Sequence, residues 1–318
     1  MYQNKKILLV AGGGTLGTYV YRELLEKGAF VDVICLEECV SDHPRLTFYR
    51  ENVTVDFLNS FLRDRHYDGI VNFIHYKTAE EYAPVHEVLM QKTDHLIFLS
   101  SYRVYANEQI PVTETAPRLL DVTEDEEFLA VEDYALPKAR CEDFLNAYHK
   151  GEAWTVVRPV ISFSHRRLDL FVYSNDEIRE QVETYGALRL PIWAQDLVAG
   201  IDWAGNSGKL IANLLCKKET FGEAYTVSTA QNLTWKEVAE LYTRLFGYPI
   251  EWCAEEDFIK VYPCVTTYKK WLYLYDRKYS RKIDNRKILA ATGLSSKDFL
   301  SVEEGLCVEL ANKQMNNN

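Results

Sequence analysis

Short runs of aliphatic and β-branched residues punctuate the first half of the chain. They fall at Ile7–Ala11, Val31–Leu36, Leu46–Arg50, Gly69–Ile74, Leu96–Ser100 and Thr155–Arg158. Most are apolar on both alternating faces, which suits strands covered on both sides rather than strands with one wet face. Between them, stretches such as Leu16–Lys27 and Glu80–Lys92 repeat their apolar positions at helical spacing. Strands alternating with helices in this way predict a parallel sheet with helices on both faces. Past Pro159 the rhythm changes. Leu197–Leu215 and Thr234–Leu245 predict helices, the second opened by Thr234 with Glu237 three residues on, a capping-box spacing. Tyr225–Ser228 predicts a returning strand, and Lys287–Gly293 a short helix stopped by glycine. Glu255–Tyr279 is dense in Tyr, Trp and Lys, and the Asn-rich end, 312–318, is expected to fray. The pattern predicts an α/β chain: a doubly wound parallel sheet with a smaller mixed α/β lobe interleaved with it.

Composition narrows the partners. The chain has 318 residues, with 36 Lys+Arg against 47 Asp+Glu, a formal charge of −11. Nucleic-acid binding needs a basic surface that displaces counterions, so that class is excluded as an expectation. No run approaches the roughly 18–20 apolar residues of a membrane span, and Ile7–Val10 is too short for a signal peptide, so a cytoplasmic protein without a membrane partner is expected. The seven cysteines are odd in number and scattered. Only Cys35 and Cys39 are close, and nothing near them completes a zinc spacing, so free thiols and no metal site are expected. Tyrosine is abundant, at 21 copies, and its apolar ring with a polar tip suits half-wet clefts.

The first strand runs into Gly12-Gly13-Gly14-Thr15-Leu16-Gly17, which satisfies G-x-G-x-x-G. Gly12 permits the tight turn, Gly14 lets the backbone approach a pyrophosphate, and Gly17 lets helix pack on strand. The helix that begins at Thr15 and Leu16 would offer free N–H groups to phosphate. The second strand ends at Glu37, 20 residues after Gly17. An acid there can bind both ribose hydroxyls of NAD and would repel the 2′-phosphate of NADP, so NAD is preferred.

Tyr134-Ala135-Leu136-Pro137-Lys138 holds Y-x-x-x-K. Residues four apart share a helix face, so the ammonium can lie beside the phenol, and a neighbouring cation favours phenolate. Pro137 is tolerable only if Tyr134 stands at the helix start. Upstream, Ser100-Ser101-Tyr102-Arg103-Val104-Tyr105 follows a predicted strand, at the sheet end where ligands of open parallel sheets bind.

With these motifs, Arg158-Pro159, Pro191-x-x-x-x-Asp196-Leu197, Thr234-Trp235-x-Glu237 and Asp284-Asn285-x-Lys287, the chain resembles the extended short-chain dehydrogenase/reductases, the NAD-dependent epimerase/dehydratase family. The resemblance covers nearly the whole length. It implies a Rossmann domain over residues 1–163, completed by about 196–228, with a substrate lobe from 164–195 and 229–318. It implies that Ser101 holds a substrate oxygen, Tyr134 moves the proton, and Lys138 lowers the tyrosine pKa and binds the nicotinamide ribose. Cofactor contacts are expected from Gly12, Gly14, Thr15, Leu16, Gly17, Glu37, Asn52, Val53, Ile74, Lys138 and Pro159. Candidate substrate contacts are His75, Tyr102, Arg189 and Arg277, with Arg281 close by. The activity implied is that of an epimerase or reductase acting on a carbonyl or secondary alcohol of a sugar or nucleotide sugar, and homodimerisation stays open. A non-catalytic NAD-binding regulator and an RNA-binding branch of the fold are the alternatives.

Several positions depart from the family pattern. Its first turn glycine is Ala11 here, and Tyr102-Arg103 replaces the Asp-Glu pair of the 4,6-dehydratases, which disfavours that reaction. Ile74-His75-Tyr76 stands where small residues usually flank the cofactor. Ser101 and Tyr134 are 33 residues apart, the excess filled by Asp121–Asp133 with its seven acids. That stretch is expected to form a solvated loop.

Overall fold

The computed structural model describes residues 2–316. Seven parallel strands form the central sheet: β1 (Lys6–Val10), β2 (Phe30–Cys35), β3 (Leu46–Arg50), β4 (Gly69–Asn72), β5 (Leu96–Leu99), β6 (Trp154–Pro159) and, later in the chain, β10 (Glu223–Val227). Their spatial order is β10-β6-β5-β4-β1-β2-β3, the doubly wound arrangement predicted from the alternation. The strand Lys6-Ile7-Leu8-Leu9-Val10 explains why the sheet is covered twice. Leu8 and Val10 enter the core on one face, Ile7 and Leu9 the core on the other, and all four are fully buried. Ile7 pairs with Val31 on one side and Gly69 on the other, so strand order reverses at β1. At such a reversal the loops leave in opposite directions and open a crevice beyond the strand ends.

Helices α1 (Thr15–Glu26), α2 (Val55–Phe61), α3 (Ala79–Met90), α4 (Leu119–Val122), α5 (Glu126–Val131) and α6 (Ala135–Tyr148) belong to the first half. The second half adds β7 (Ile161–Phe163), α7 (Asn175–Tyr185), β8 (Leu188–Pro191), β9 (Ile201–Trp203), α8 (Ala204–Ala212), α9 (Trp235–Phe246), β11 (Ile250–Cys253), α10 (Glu255–Val261), α11 (Lys270–Leu272), α12 (Arg286–Thr292) and α13 (Val302–Asn316). Two small parallel pairs, β8 with β11 and β7 with β9, join an aromatic core that includes Phe171, Tyr173, Trp235, Tyr242, Phe258 and Tyr273. The capping box at Thr234 forms, and Gly247 and Gly293 end α9 and α12 in the left-handed region. The end expected to fray is helical as far as Asn316.

Two expectations change. Leu197–Leu215 is not one helix. Gly200 turns at φ 61, Ile201–Trp203 pairs with Ile161–Phe163, and α8 begins only at Ala204. Strand pairing and the buried Asp202 carboxylate, which accepts from the backbone N–H of Trp203 and Thr229, outweigh local helix propensity. The acidic stretch is not a free loop either. It folds into α4 and α5, and ion pairs tie it down: Asp121 to Arg118, Glu127 to Lys270, Glu132 to Arg140 and Asp133 to Arg103.

Candidate active site

The loops that leave β1, β5 and β6 converge with the second-half lobe on a cleft of about 660 Å³. Gly14, Thr15, Leu16, Gly17, Ser101, Tyr102, Tyr134, Pro159 and Arg277 all line it. Thus residues named from motifs more than 250 positions apart share one cavity.

The glycine turn is built as its spacing requires. A Cβ on Gly17 would stand 2.1 Å from the Gly12 carbonyl oxygen, so only glycine lets α1 lie this close to β1. A Cβ on Gly14 would meet nothing within 4 Å, so this edge of the backbone faces open space. Gly14 caps α1 without a side-chain hydrogen bond, which leaves the first-turn N–H groups pointing at the cleft. Ala11, where the family pattern has glycine, adopts φ 57, a conformation that costs a side-chain-bearing residue energy. The Glu37 carboxylate lies against Gly13, 2.5 Å from where a Cβ would stand. A dinucleotide therefore fits: open backbone donors for the pyrophosphate at Gly14–Gly17 and a carboxylate for the ribose at Glu37. Asn52 and Val53 lie just past β3, at the same end of the sheet but outside the cleft lining.

Tyr134 precedes α6, so Pro137 sits in the first turn, where its missing N–H costs nothing. The Tyr134 ring stacks on His75, with centroids 4.9 Å apart, and the Arg103 guanidinium lies 5.1 Å from its centroid. Asp133 holds Arg103 at 2.8 Å. The acidic stretch thus delivers a positioning pair to the tyrosine. Partial burial, helped by the charges of Lys138 and Arg103, pushes the His75 pKa below the ordinary value despite Asp133 and Glu81, so the ring is neutral at neutral pH.

Lys138 is almost fully buried, and its Nζ donates to the carbonyl oxygens of Leu99 at 2.6 Å and Ile74 at 3.1 Å. Burial pushes its pKa down to about 8. An ammonium has three donors, and two are used here, so one is left over. Ser101 Oγ accepts from the Arg103 backbone N–H at 3.2 Å, which leaves its own proton free to donate. Ser100 turns the other way, into a buried network in which Glu142 binds Ser100 and takes two hydrogen bonds from Arg158. Arg158 is therefore a framework residue, and Pro159 after it reaches the cleft.

Of the cleft residues, the sequence does not single out Asp276, Arg167, Asp169 and Lys269, whereas it does single out Tyr102 and Arg277. A π-helical turn at Tyr273–Arg277 delivers Asp276 and Arg277 together. Tyr102 Oη donates to Asp276 at 2.8 Å, and Arg277 and Arg281 both bind the same carboxylate. Burial alone would raise the Asp276 pKa, but the two guanidinium groups outweigh it and hold the carboxyl below its usual range. Arg167, Asp169 and Lys269 complete the charged lining. Its four cations are each held by a carboxylate: Arg103 by Asp133, Arg167 by Asp169, Lys269 by Glu177 and Arg277 by Asp276. Arg166 donates to the Gly13 carbonyl oxygen at 2.8 Å. Arg189 lies elsewhere: it pairs with Glu251 on the β8–β11 ribbon, outside the cleft lining.

Comparison with known proteins agrees with this architecture. No family model matches the chain. A UDP-glucose 4-epimerase of Lactobacillus helveticus is 27% identical over 135 residues, 35% of this chain and 40% of that protein. The chain thus spans well under half the length of that curated relative. Among solved structures, UDP-glucose 4-epimerase of Thermotoga maritima with UDP-glucose superposes with a TM-score of 0.68 at 16% identity, covering 98% of this chain and all of the other. A short-chain dehydrogenase/reductase superfamily protein of Agrobacterium tumefaciens with bound NAD gives 0.70 at 13% identity, covering 98% of each chain. The fold is that of the epimerases and other short-chain dehydrogenase/reductases. Among the described residues no helix is long and apolar enough to cross a membrane.

Proposed function

We propose that this chain is an NAD-dependent epimerase or reductase of the extended short-chain dehydrogenase/reductase type, acting on a secondary alcohol or carbonyl of a nucleotide sugar. The observation that carries the reading is the meeting of the open glycine turn with Ser101 and Tyr134 in one cleft, beside a Lys138 with a donor to spare. NAD would be held by Gly14–Gly17 and Glu37, and it supplies a reversible hydride acceptor. The chain's own residues do the rest. Ser101 donates its free hydroxyl proton to the substrate oxygen and fixes its place. Tyr134 takes that oxygen's proton when an alcohol is oxidised and returns it on reduction. The Lys138 ammonium offers its remaining N–H to the nicotinamide ribose. Arg103 and Asp133 keep the phenol ring in position.

The guanidinium and ammonium donors that line the cleft, Arg103, Arg167, Lys269 and Arg277, support a substrate rich in hydrogen-bond acceptors, as a nucleotide sugar is. The same fold in proteins solved with UDP-glucose and with NAD supports the class. The test is turnover with NAD and a panel of UDP-, GDP- and dTDP-sugars, in the wild type and in Tyr134→Phe. The expected result is product from at least one sugar nucleotide, reduced about 10²-fold or more in the variant. Unchanged turnover in Tyr134→Phe would overturn the assignment of the proton carrier. NAD binding with no turnover on any substrate would favour the regulatory reading.

A further inference from the structure

His86, on α3, is fully buried, and its Nε2 has no hydrogen-bond partner. Its Nδ1 lies 3.0 Å from Tyr82 Oη. With Nδ1–H donating to Tyr82, a lone pair at Nε2 is left unmatched in the interior, an arrangement that native proteins avoid unless something else satisfies it. That nitrogen faces two further donors. A Glu152 carboxylate oxygen is 3.9 Å away, and His149 Nδ1 is 3.1 Å from the same carboxylate. The two imidazole centroids are 4.3 Å apart. One ligand atom from each of the three residues lies within 4.8 Å of the others.

The turn after α6 fixes this grouping. Gly151 takes φ 87, Glu152 N donates to the His149 carbonyl oxygen at 3.2 Å, and Trp154 Nε1 donates to it at 2.6 Å. His149 and Glu152 therefore emerge together, three residues apart, against the buried ring. Among the described residues, no lysine or arginine pairs with Glu152, whose carboxylate lies beside these two imidazoles.

We propose that His86, His149 and Glu152 form a binding site for one divalent transition-metal ion, with zinc the best match. Two imidazoles and one carboxylate are a nitrogen-rich set with too few oxygens for calcium or magnesium. Bonds of about 2.0–2.1 Å in a tetrahedral site place ligand atoms about 3.4 Å apart, so the His149–Glu152 turn must close by about 1 Å on His86 from the present spacing of up to 4.8 Å. Glu152, with its side chain 45% exposed, has room to swing inward. The Tyr82 hydroxyl orients the His86 ring from behind, as outer-shell partners do. The ion would tie α3 to the turn between α6 and β6. None of these residues lines the cleft, so the site is independent of the proposed activity. Local spacing hides it, because His86 comes from a different helix.

The test uses the full chain, freed of any affinity tag and treated with chelator, then titrated with Zn2+ by calorimetry and with Co2+ by visible absorption. Expected is one ion per chain, a Co2+ d–d spectrum, and a rise in unfolding temperature with Zn2+. His149→Asn and Glu152→Gln change partly exposed side chains, so folding should survive, and each should abolish the Co2+ spectrum. Tyr82→Phe should weaken binding about 10–100-fold. Absence of one-to-one binding in the wild type, or binding undiminished in the His149→Asn/Glu152→Gln double variant, overturns the proposal.

Discussion

Tyr134 and Lys138 stand four residues apart, and burial acts on them unequally. Tyr134 is half-buried at the start of its helix, while Lys138 is enclosed with two carbonyl oxygens as partners. Its pKa is pushed down to about 8, so the ammonium is charged below that value and loses its proton above it. The charged donor offered to the nicotinamide ribose is therefore lost as pH rises. Turnover should fall through a limb near pH 8, measured as kcat/KM against pH, and Lys138→Met should remove activity across the range. Ala11 gives a second residue-scale prediction. Its φ of 57 suits glycine, so Ala11→Gly should stabilise the fold by about 0.5–1 kcal/mol, read from the urea midpoint, after the entropy cost of glycine is subtracted.

The strand–turn–helix unit at the amino end separates two roles that its glycines share by name. Gly17 is occupied by its neighbours and Gly14 is open. Gly17→Ala drives a methyl into the Gly12 carbonyl and should cost about 1–3 kcal/mol or more of stability. Gly14→Val should leave the melting temperature nearly unchanged while weakening dinucleotide binding. Those motifs were legible because each function sits within one short segment: the turn, Glu37 one strand later, and Y-x-x-x-K on one helix. The rest of the cleft was not, because tertiary folding assembles it. Asp276 depends on a π-helical turn, which also sets the place of Arg277, a residue that the family resemblance alone marks, and Arg166 reaches Gly13 across 153 residues. Glu309 of α13 binds Tyr19, Trp203 and His165, and so ties the loop carrying Arg166 to α1. Arg189 shows the converse. The family resemblance makes it a candidate substrate contact, but strand pairing turns it toward Glu251.

For the molecule as a whole, the net charge of −11 does not carry into the cleft, where Arg103, Arg167, Lys269 and Arg277 are each matched by one carboxylate. Acid stability should depend on the interior rather than on this surface. His95 is fully buried and accepts the Cys216 backbone N–H at Nδ1, so Nε2–H points at Thr155. Burial pushes its pKa down to about 3. The unfolded chain therefore binds the extra proton first. Stability from this group is complete above pH 6.5 and is lost as pH falls toward 3. Urea midpoints between pH 7 and 4 should show that slope. If the glycine turn holds NAD beside Tyr134, calorimetric titration of NAD and NADP into the wild type, Gly14→Val and Tyr134→Phe should show it. Expected are one NAD per chain, weaker NADP because of Glu37, weakened binding in Gly14→Val and full retention in Tyr134→Phe. No NAD binding to the wild type, or binding indifferent to Gly14→Val, would contradict it.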